Sequence, residues 1–299
     1  MREQTGSPPA TQCDNRAVTT STDPAATISS TTTETGPDRS ALPAAATSRA
    51  VIDLEAVAHN GRLLAQTAGV PWMAVVKADA YGHGLGPIAL TALSAGASWL
   101  GVAQLAEALT LRALLDEAGV ARPVEEPSGQ APRVLSWLLP VMDPARAACE
   151  DSPLRAALKA DLDLSVSTLS QLEALAAAAR AQATTARLHL KVDTGMSRGG
   201  AMAEDLPALA AALRRAVDEG AVDVVGLWSH LSRADEPTSG STEEHLVRYR
   251  QAERIVCEAG LTPSIHHLAA TGGLLWHPEA RMDLVRAGIG LYGLSPDPS

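Results

Sequence analysis

Eight short apolar runs recur along the chain from residue 72 to residue 293. They are WMAVVK (72–77), WLGVAQ (99–104), RVLSWLL (133–139), DLSVS (163–167), RLHLKVD (187–193), VDVVGLWSHL (222–231), SIHHLAA (264–270) and LVRAGIGLYG (284–293). Their length and their Val, Leu, Ile and Trp content predict strands. Between them, 85–97, 105–119, 167–183 and 203–220 have the period of helices. Strands alternating with helices predict a parallel α/β architecture, and eight is the count of a closed, TIM-like (β/α)8 barrel. An open doubly wound sheet is the alternative, but the first βα turn carries no GxGxxG.

Residues 1–48 are rich in Ser, Thr, Ala and Pro and have no apolar period. They predict a disordered tail, with the barrel over 49–296. The segment PVEEPSGQAP (123–132) predicts a surface loop. The given residues stop shortly after the eighth run, so a single barrel domain is expected within them, with no second domain.

Composition narrows the function. Among 299 residues, 46% are hydrophobic, so a large core is available. A net charge of −10 argues against nucleic acid but not against one small anion, for which a few cations and backbone N–H groups suffice. Cys13, Cys149 and Cys257 are far apart and form no metal-ligand spacing, so no metal is expected. The first residues, MREQTGSPPA, lack a signal-peptide pattern, and no run is long enough to span a bilayer. A cytoplasmic protein with no membrane partner is expected.

In a barrel of this kind reactive groups gather where strands end. In VVKADAYGHG (75–84), Lys77 ends an apolar run and Tyr81 follows four residues on. Burial there favours the neutral amine, the form that attacks an aldehyde to give a Schiff base. Standing alone, Lys77 would read as a lysine snorkelling to water. LKVDTGMSRGG (190–200) offers Lys191, Asp193 and Arg198 around a glycine turn, where Arg198 can hold an anionic oxygen. GLWSHLSRADE (226–236) puts His230 at a strand end, fit to stack on a ring or move a proton. HLAATGG (267–273) and VRAGIGLYG (285–293) fall where barrels bind phosphate: Thr271 supplies a hydroxyl, and Gly288 and Ile289 supply amides. Arg286 is placed to point to the mouth, where a guanidinium can face a bound ligand. His266 and His267 face opposite sides of one strand and make a poor metal pair.

AVVKADAYGHG, HLKVDTGMSRGG, GLWSHLSRADE and DLVRAGIGLYGLSP occur in the order and spacing of the bacterial alanine racemases, fold-type III pyridoxal-phosphate enzymes. The resemblance covers roughly residues 50–296, the family's barrel domain. It implies pyridoxal 5'-phosphate as cofactor, alanine as substrate, and interconversion of L- and D-alanine for the cell wall. It implies that Lys77 binds the cofactor as a Schiff base and acts as one of two catalytic bases. By the same resemblance Tyr81, Thr271, Gly288 and Ile289 hold the phosphate, Arg286 faces the pyridine nitrogen, and His230 packs on the ring. Arg198 contacts the phenolic oxygen, Lys191, often carbamylated in the family, positions Arg198, Met196 lies near the substrate carboxylate, and Trp137 lines the cofactor. A homodimer is expected for full-length members.

Two departures from the family stand out. Ala270-Thr271 replaces the usual Asn-Ser after the seventh strand, which keeps the hydroxyl and loses an amide. The family's second base is a tyrosine on a C-terminal β-domain given by a partner subunit, and 297–299 read as the start of a linker to that domain. Tyr292, placed within the eighth predicted strand, does not replace it. The alternatives are a non-catalytic barrel that binds pyridoxal phosphate and a racemase for another small amino acid such as serine.

Overall fold

A computed structural model describes residues 50–125 and 130–297. The tail expected over 1–48, residues 126–129 of the expected loop and the last two linker residues lie outside the described residues. Asp53–Ser299 form one compact unit.

The chain runs through α1 (Leu54–Ala68), β1 (Trp72–Val75), α2 (Lys77–Gly82), α3 (Leu85–Ser94), β2 (Trp99–Gln104), α4 (Leu105–Glu117) and β3 (Arg133–Leu138). It continues through α5 (Pro144–Ala148), α6 (Pro153–Lys159), β4 (Asp163–Val166), α7 (Leu169–Gln182), β5 (Ala186–Lys191), α8 (Leu206–Asp218) and β6 (Val222–Trp228). It ends with α9 (Ser241–Glu258), β7 (Ile265–His267), α10 (Thr271–Trp276) and β8 (Val285–Ala287). Every ladder is parallel, in the order β7-β6-β5-β4-β3-β2-β1-β8. β1 pairs on both sides, Met73 opposite Trp99 and Arg286. Asp283 N donates to His266 O and Arg286 N donates to Ala269 O, each at 3.0 Å. These bonds join β7 to β8, so the sheet is an eight-stranded barrel and not an open sheet.

Local chemistry sets the element ends. Asp53 caps α1 by accepting Glu55 N and Ala56 N at 2.9 and 3.0 Å, and Gly69, at φ 65°, stops it in the left-handed region. β1 and β4 are buried at every position, as strands covered on both faces must be. The eighth predicted strand is much shorter than its apolar run. β8 ends at Ala287, Gly288 breaks it, and Ile289–Tyr292 form a 3₁₀ turn. Tyr292 therefore stands outside the strand. Its hydroxyl donates to Val75 O at 3.1 Å.

Met73, Trp99, Leu135 and Leu284 plug the barrel at the N-terminal ends of its strands. Above them the interior turns polar. Trp99 meets the His189 ring edge-on at 5.2 Å, and His189 meets His267 at 5.0 Å. Arg286 follows, and beyond it the barrel opens. Among the described residues no helix is long and apolar enough to cross a membrane.

Candidate active site

The open end of the barrel holds a cavity of about 700 Å³, a size typical of cofactor sites. Lys77, Tyr81 and Trp137 line it from β1 and β3; Lys191, Arg198 and His230 line it from β5 and β6. Thr271, Arg286, Gly288 and Ile289 complete the wall from β7 and β8. Residues that lie more than two hundred positions apart thus converge because each stands near the C-terminal end of a strand or in the segment after it. Met196 does not line the cavity, so its expected place near a substrate carboxylate finds no support in the geometry.

Lys77 sits two residues past β1, and the backbone after it is unusual. Ala78, Asp79, Ala80 and Tyr81 have φ between 52 and 56°, a left-handed helical turn built from four non-glycine residues. Each such residue costs about 1–2 kcal/mol, so the turn stores about 4–8 kcal/mol that its surroundings must hold. Asp79 Oδ1 accepts Leu85 N at 2.7 Å and Glu107 Oε1 accepts Ala78 N at 2.6 Å. His83 Nδ1 lies 3.0 Å from both Ala80 O and Tyr81 O, so that nitrogen carries the proton. The turn sends Tyr81 back over the mouth, its ring centroid 5.7 Å from Lys77 Nζ. Burial raises the Tyr81 pKa and keeps the hydroxyl protonated.

On the opposite wall, Thr271 Oγ1 accepts Gly288 N at 3.2 Å and Gly290 N at 3.3 Å. With both lone pairs used, its own hydrogen is left to donate. A Cβ on Gly288 would fall 2.9 Å from the Tyr81 hydroxyl and push that end of the side chain away, so glycine lets the two walls approach this closely.

Arg286 is the floor. The residue is 4% exposed, and its guanidinium donates to Ser229 O at 2.8 Å, Leu268 O at 2.9 Å, and the Nδ1 atoms of His230 and His267 at 3.1 Å. Arginine only donates, so both Nδ1 atoms must accept. His267 then carries its proton on Nε2 and donates to His189 Nδ1 at 2.9 Å. His189 Nε2–H in turn faces Asp163 Oδ1 across 3.7 Å, a long polar contact that still favours the carboxylate. All three imidazoles are neutral. Burial lowers the pKa of His189, and burial and then Arg286 push His267 well down. Burial, Arg286 and Arg198 push His230 down to about 2. Burial by itself would raise Asp163, but His189, Arg133 and Arg187 outweigh it and hold the carboxyl at about 2.

The cavity is strongly cationic. Burial, with Arg198 and Arg286 nearby, lowers Lys191 to about 8, and burial lowers Arg286 to about 9. Among the described residues none of Lys77, Lys191, Arg198 and Arg286 forms an ion pair with a carboxylate. The positive groups of Lys191, Arg198 and Arg286, facing one cavity without a neutralising carboxylate, fit an anionic ligand. Pyridoxal phosphate, with a phosphate at one end and a phenolic oxygen on the ring, has that chemistry, and the amine its aldehyde would need is present in Lys77.

Trp228, Ser167 and Gln171 also line the cavity and escaped the sequence reading. Trp228 stacks parallel on His267 at 5.3 Å and donates Nε1–H to Ser165 Oγ at 2.9 Å. Lys191 Nζ lies 4.8 Å and Arg286 Cζ 4.9 Å from its ring centroid, so the indole makes a cation–π contact with each. It sits in the GLWSHL run just before His230, which was the signal available.

Residues 52–296 match the family model described as alanine racemase, N-terminal domain. The alanine racemase of Beutenbergia cavernae is 46% identical over 249 residues, which make up 83% of this chain and 60% of that protein. Among solved structures, the alanine racemase of a D-cycloserine-producing Streptomyces lavendulae is 40% identical with a TM-score of 0.73, covering 83% of this chain and 59% of that one. The alanine racemase of Bartonella henselae, solved with covalently bound pyridoxal phosphate, is 26% identical with a TM-score of 0.66, covering 83% and 61%. The chain spans about 60% of the length of the curated relatives it matches.

Proposed function

The chain belongs to the alanine racemase N-terminal domain family, and from that premise we propose that its barrel binds pyridoxal phosphate through Lys77 and handles the alanine Cα proton on one face. The observation that carries this reading is the convergence of Lys77 with unpaired cations and a hydroxyl-and-amide cradle in one cavity. The covalent pyridoxal phosphate in the Bartonella henselae relative supports the cofactor. Alanine as substrate is supported by the names of the relatives.

When bound, the cofactor supplies an electron-withdrawing conjugated system that acidifies the Cα–H bond of an attached amino acid. The protein does the rest. Thr271 donates its free hydroxyl hydrogen, and Tyr81, Gly288 and Ile289 close the phosphate end. Arg198 would contact the phenolic oxygen, with Lys191 positioning Arg198. His230 packs a neutral imidazole on the ring. Arg286, held as a buried cation on the cavity floor, would face the ring nitrogen and disfavour its protonation, which would restrain side reactions that need the protonated ring. Lys77 reaches one face of the substrate and removes or returns the proton there. Racemisation needs a second group on the opposite face. Tyr292 does not serve, because its hydroxyl is spent on Val75 O. The region of the relatives outside the matched 60% is where we seek that group.

A single base on one face acts on one enantiomer. The test is proton NMR of L- and D-alanine in deuterium oxide with the chain and pyridoxal phosphate. One enantiomer should lose its Cα proton signal, and Lys77→Ala should stop the loss. Exchange of neither enantiomer, or exchange that survives Lys77→Ala, refutes the reading.

A further inference from the structure

Glu107 stands on the first turn of α4 and takes no part in the chemistry above. Its carboxylate nevertheless gathers three backbone N–H groups from two separate segments. Oε1 accepts Ala78 N at 2.6 Å, and Oε2 accepts Ala103 N at 3.0 Å and Gln104 N at 2.8 Å. Ala103 and Gln104 close β2, whereas Ala78 directly follows Lys77 and opens the left-handed turn.

The β1–β2 ladder stops just short of that point. Its last pair is Val75 with Gly101, and Val76 N still donates to Gly101 O at 2.9 Å. Beyond Val76 the sheet no longer fixes the chain, and Glu107 takes over as acceptor for Ala78. The far end of the turn is closed by its own neighbours, Asp79 to Leu85 N and His83 to Ala80 O and Tyr81 O. Glu107 thus ties the start of a strained turn to the barrel wall. A carboxylate can do this because both of its oxygens accept; an amide in its place would turn an N–H₂ toward one set of N–H groups.

We propose that Glu107 is a positioning residue for Lys77: it locks the Ala78 amide to the end of β2 and so fixes where the Lys77 stem leaves the barrel. This rests on the reading of Lys77 as the cofactor lysine. Gln104 provides the control. It forms the other half of a capping box with Glu107 at the start of α4, and its side chain has no tie to the Lys77 turn.

The experiment compares the unsubstituted chain, Glu107→Gln and Gln104→Ala. Each is incubated with pyridoxal phosphate, reduced with borohydride over a time course, and mapped by peptide mass. Lys159, which is exposed, serves as internal reference. Loss of a hydrogen bond to a charged acceptor should slow Lys77 labelling by about ten- to hundredfold in Glu107→Gln, with Lys159 unchanged. Gln104→Ala should label Lys77 like the unsubstituted chain. Undiminished Lys77 labelling in Glu107→Gln overturns the proposal, and so does an equal loss in Gln104→Ala, which would mean helix stability alone. No preference for Lys77 over Lys159 in the unsubstituted chain sinks the cofactor reading itself, a different failure. If Glu107→Gln does not fold, amide exchange in the unsubstituted chain decides. The Ala78 amide should be protected like those of Ala103 and Gln104, and exchange at the rate of exposed loop amides overturns the proposal.

Discussion

The left-handed turn after Lys77 makes an unusual stability prediction: replacing Ala78 by glycine strengthens the fold. Ala78 has φ 53° and its side chain is exposed, so its methyl group contributes little packing. An L-residue in that region costs about 1–2 kcal/mol, and glycine avoids the clash. Against this, glycine loses more backbone freedom on folding, about 0.5–1 kcal/mol. The net expectation is a gain of about 0.5–1 kcal/mol, because the Ala78 N–H bond to Glu107 survives the change. Ala211, exposed within α8, gives the contrast. Glycine there should cost about 1 kcal/mol, as in any right-handed helix. Urea denaturation of the three chains, checked for unchanged slope, reads both values. Thermal midpoints should follow, rising by about 1–4 °C for Ala78→Gly. If Ala78→Gly falls by as much as Ala211→Gly, the turn is not strained in the way described and the reasoning fails.

Other outcomes follow from the same geometry. His267→Phe leaves the Arg286 and His189 groups facing it without partners inside the barrel, and should destabilise the chain by about 2–4 kcal/mol in urea denaturation. Gly288→Ala pushes on the far end of Tyr81, so stability should change by less than about 1 kcal/mol while the preference for pyridoxal phosphate over pyridoxal collapses in a titration. An unchanged preference would place the phosphate elsewhere. Lys191 titrates at about 8 in the fold against 10.5 when unfolded, so the unfolded chain binds more protons between those values. Stability should therefore rise with pH from about 8 to 10.5 and not in Lys191→Met, by less than the roughly 3 kcal/mol of an unscreened shift.

Much of the fold was legible because the eight strands are apolar runs bounded by helical stretches, and a parallel barrel buries such runs on both faces. The four expected helices are present. α5 and α6 carry Pro144 and Pro153 at their first positions, which read as breaks until Asp143 and Ser152 are seen as caps. α9 is charged along most of its length and buries only a thin stripe through Leu246, Tyr249 and Val256. That the expected residues, Met196 excepted, line one cavity was readable from strand ends, since register brings those ends together without further information. The handedness of the Lys77 turn was not, because Ala, Asp and Tyr carry no preference for positive φ strong enough to announce it. Nor was the His189–His267–Arg286 chain. It depends on which interior residues meet, as where His189 lies opposite Gly226 after a register shift at Leu188. Glu107 reads in sequence as an ordinary capping residue, and its reach to Ala78 exists only once β1 and β2 are paired.

The chain has three lysines, Lys77, Lys159 and Lys191, which makes the central claim open to one direct measurement. The purified chain is mixed with an equimolar amount of pyridoxal phosphate, reduced with borohydride, digested and analysed by mass spectrometry. The account predicts one pyridoxyl group per chain, carried on Lys77. A label on Lys191 or Lys159, or no stable label at all, would contradict it.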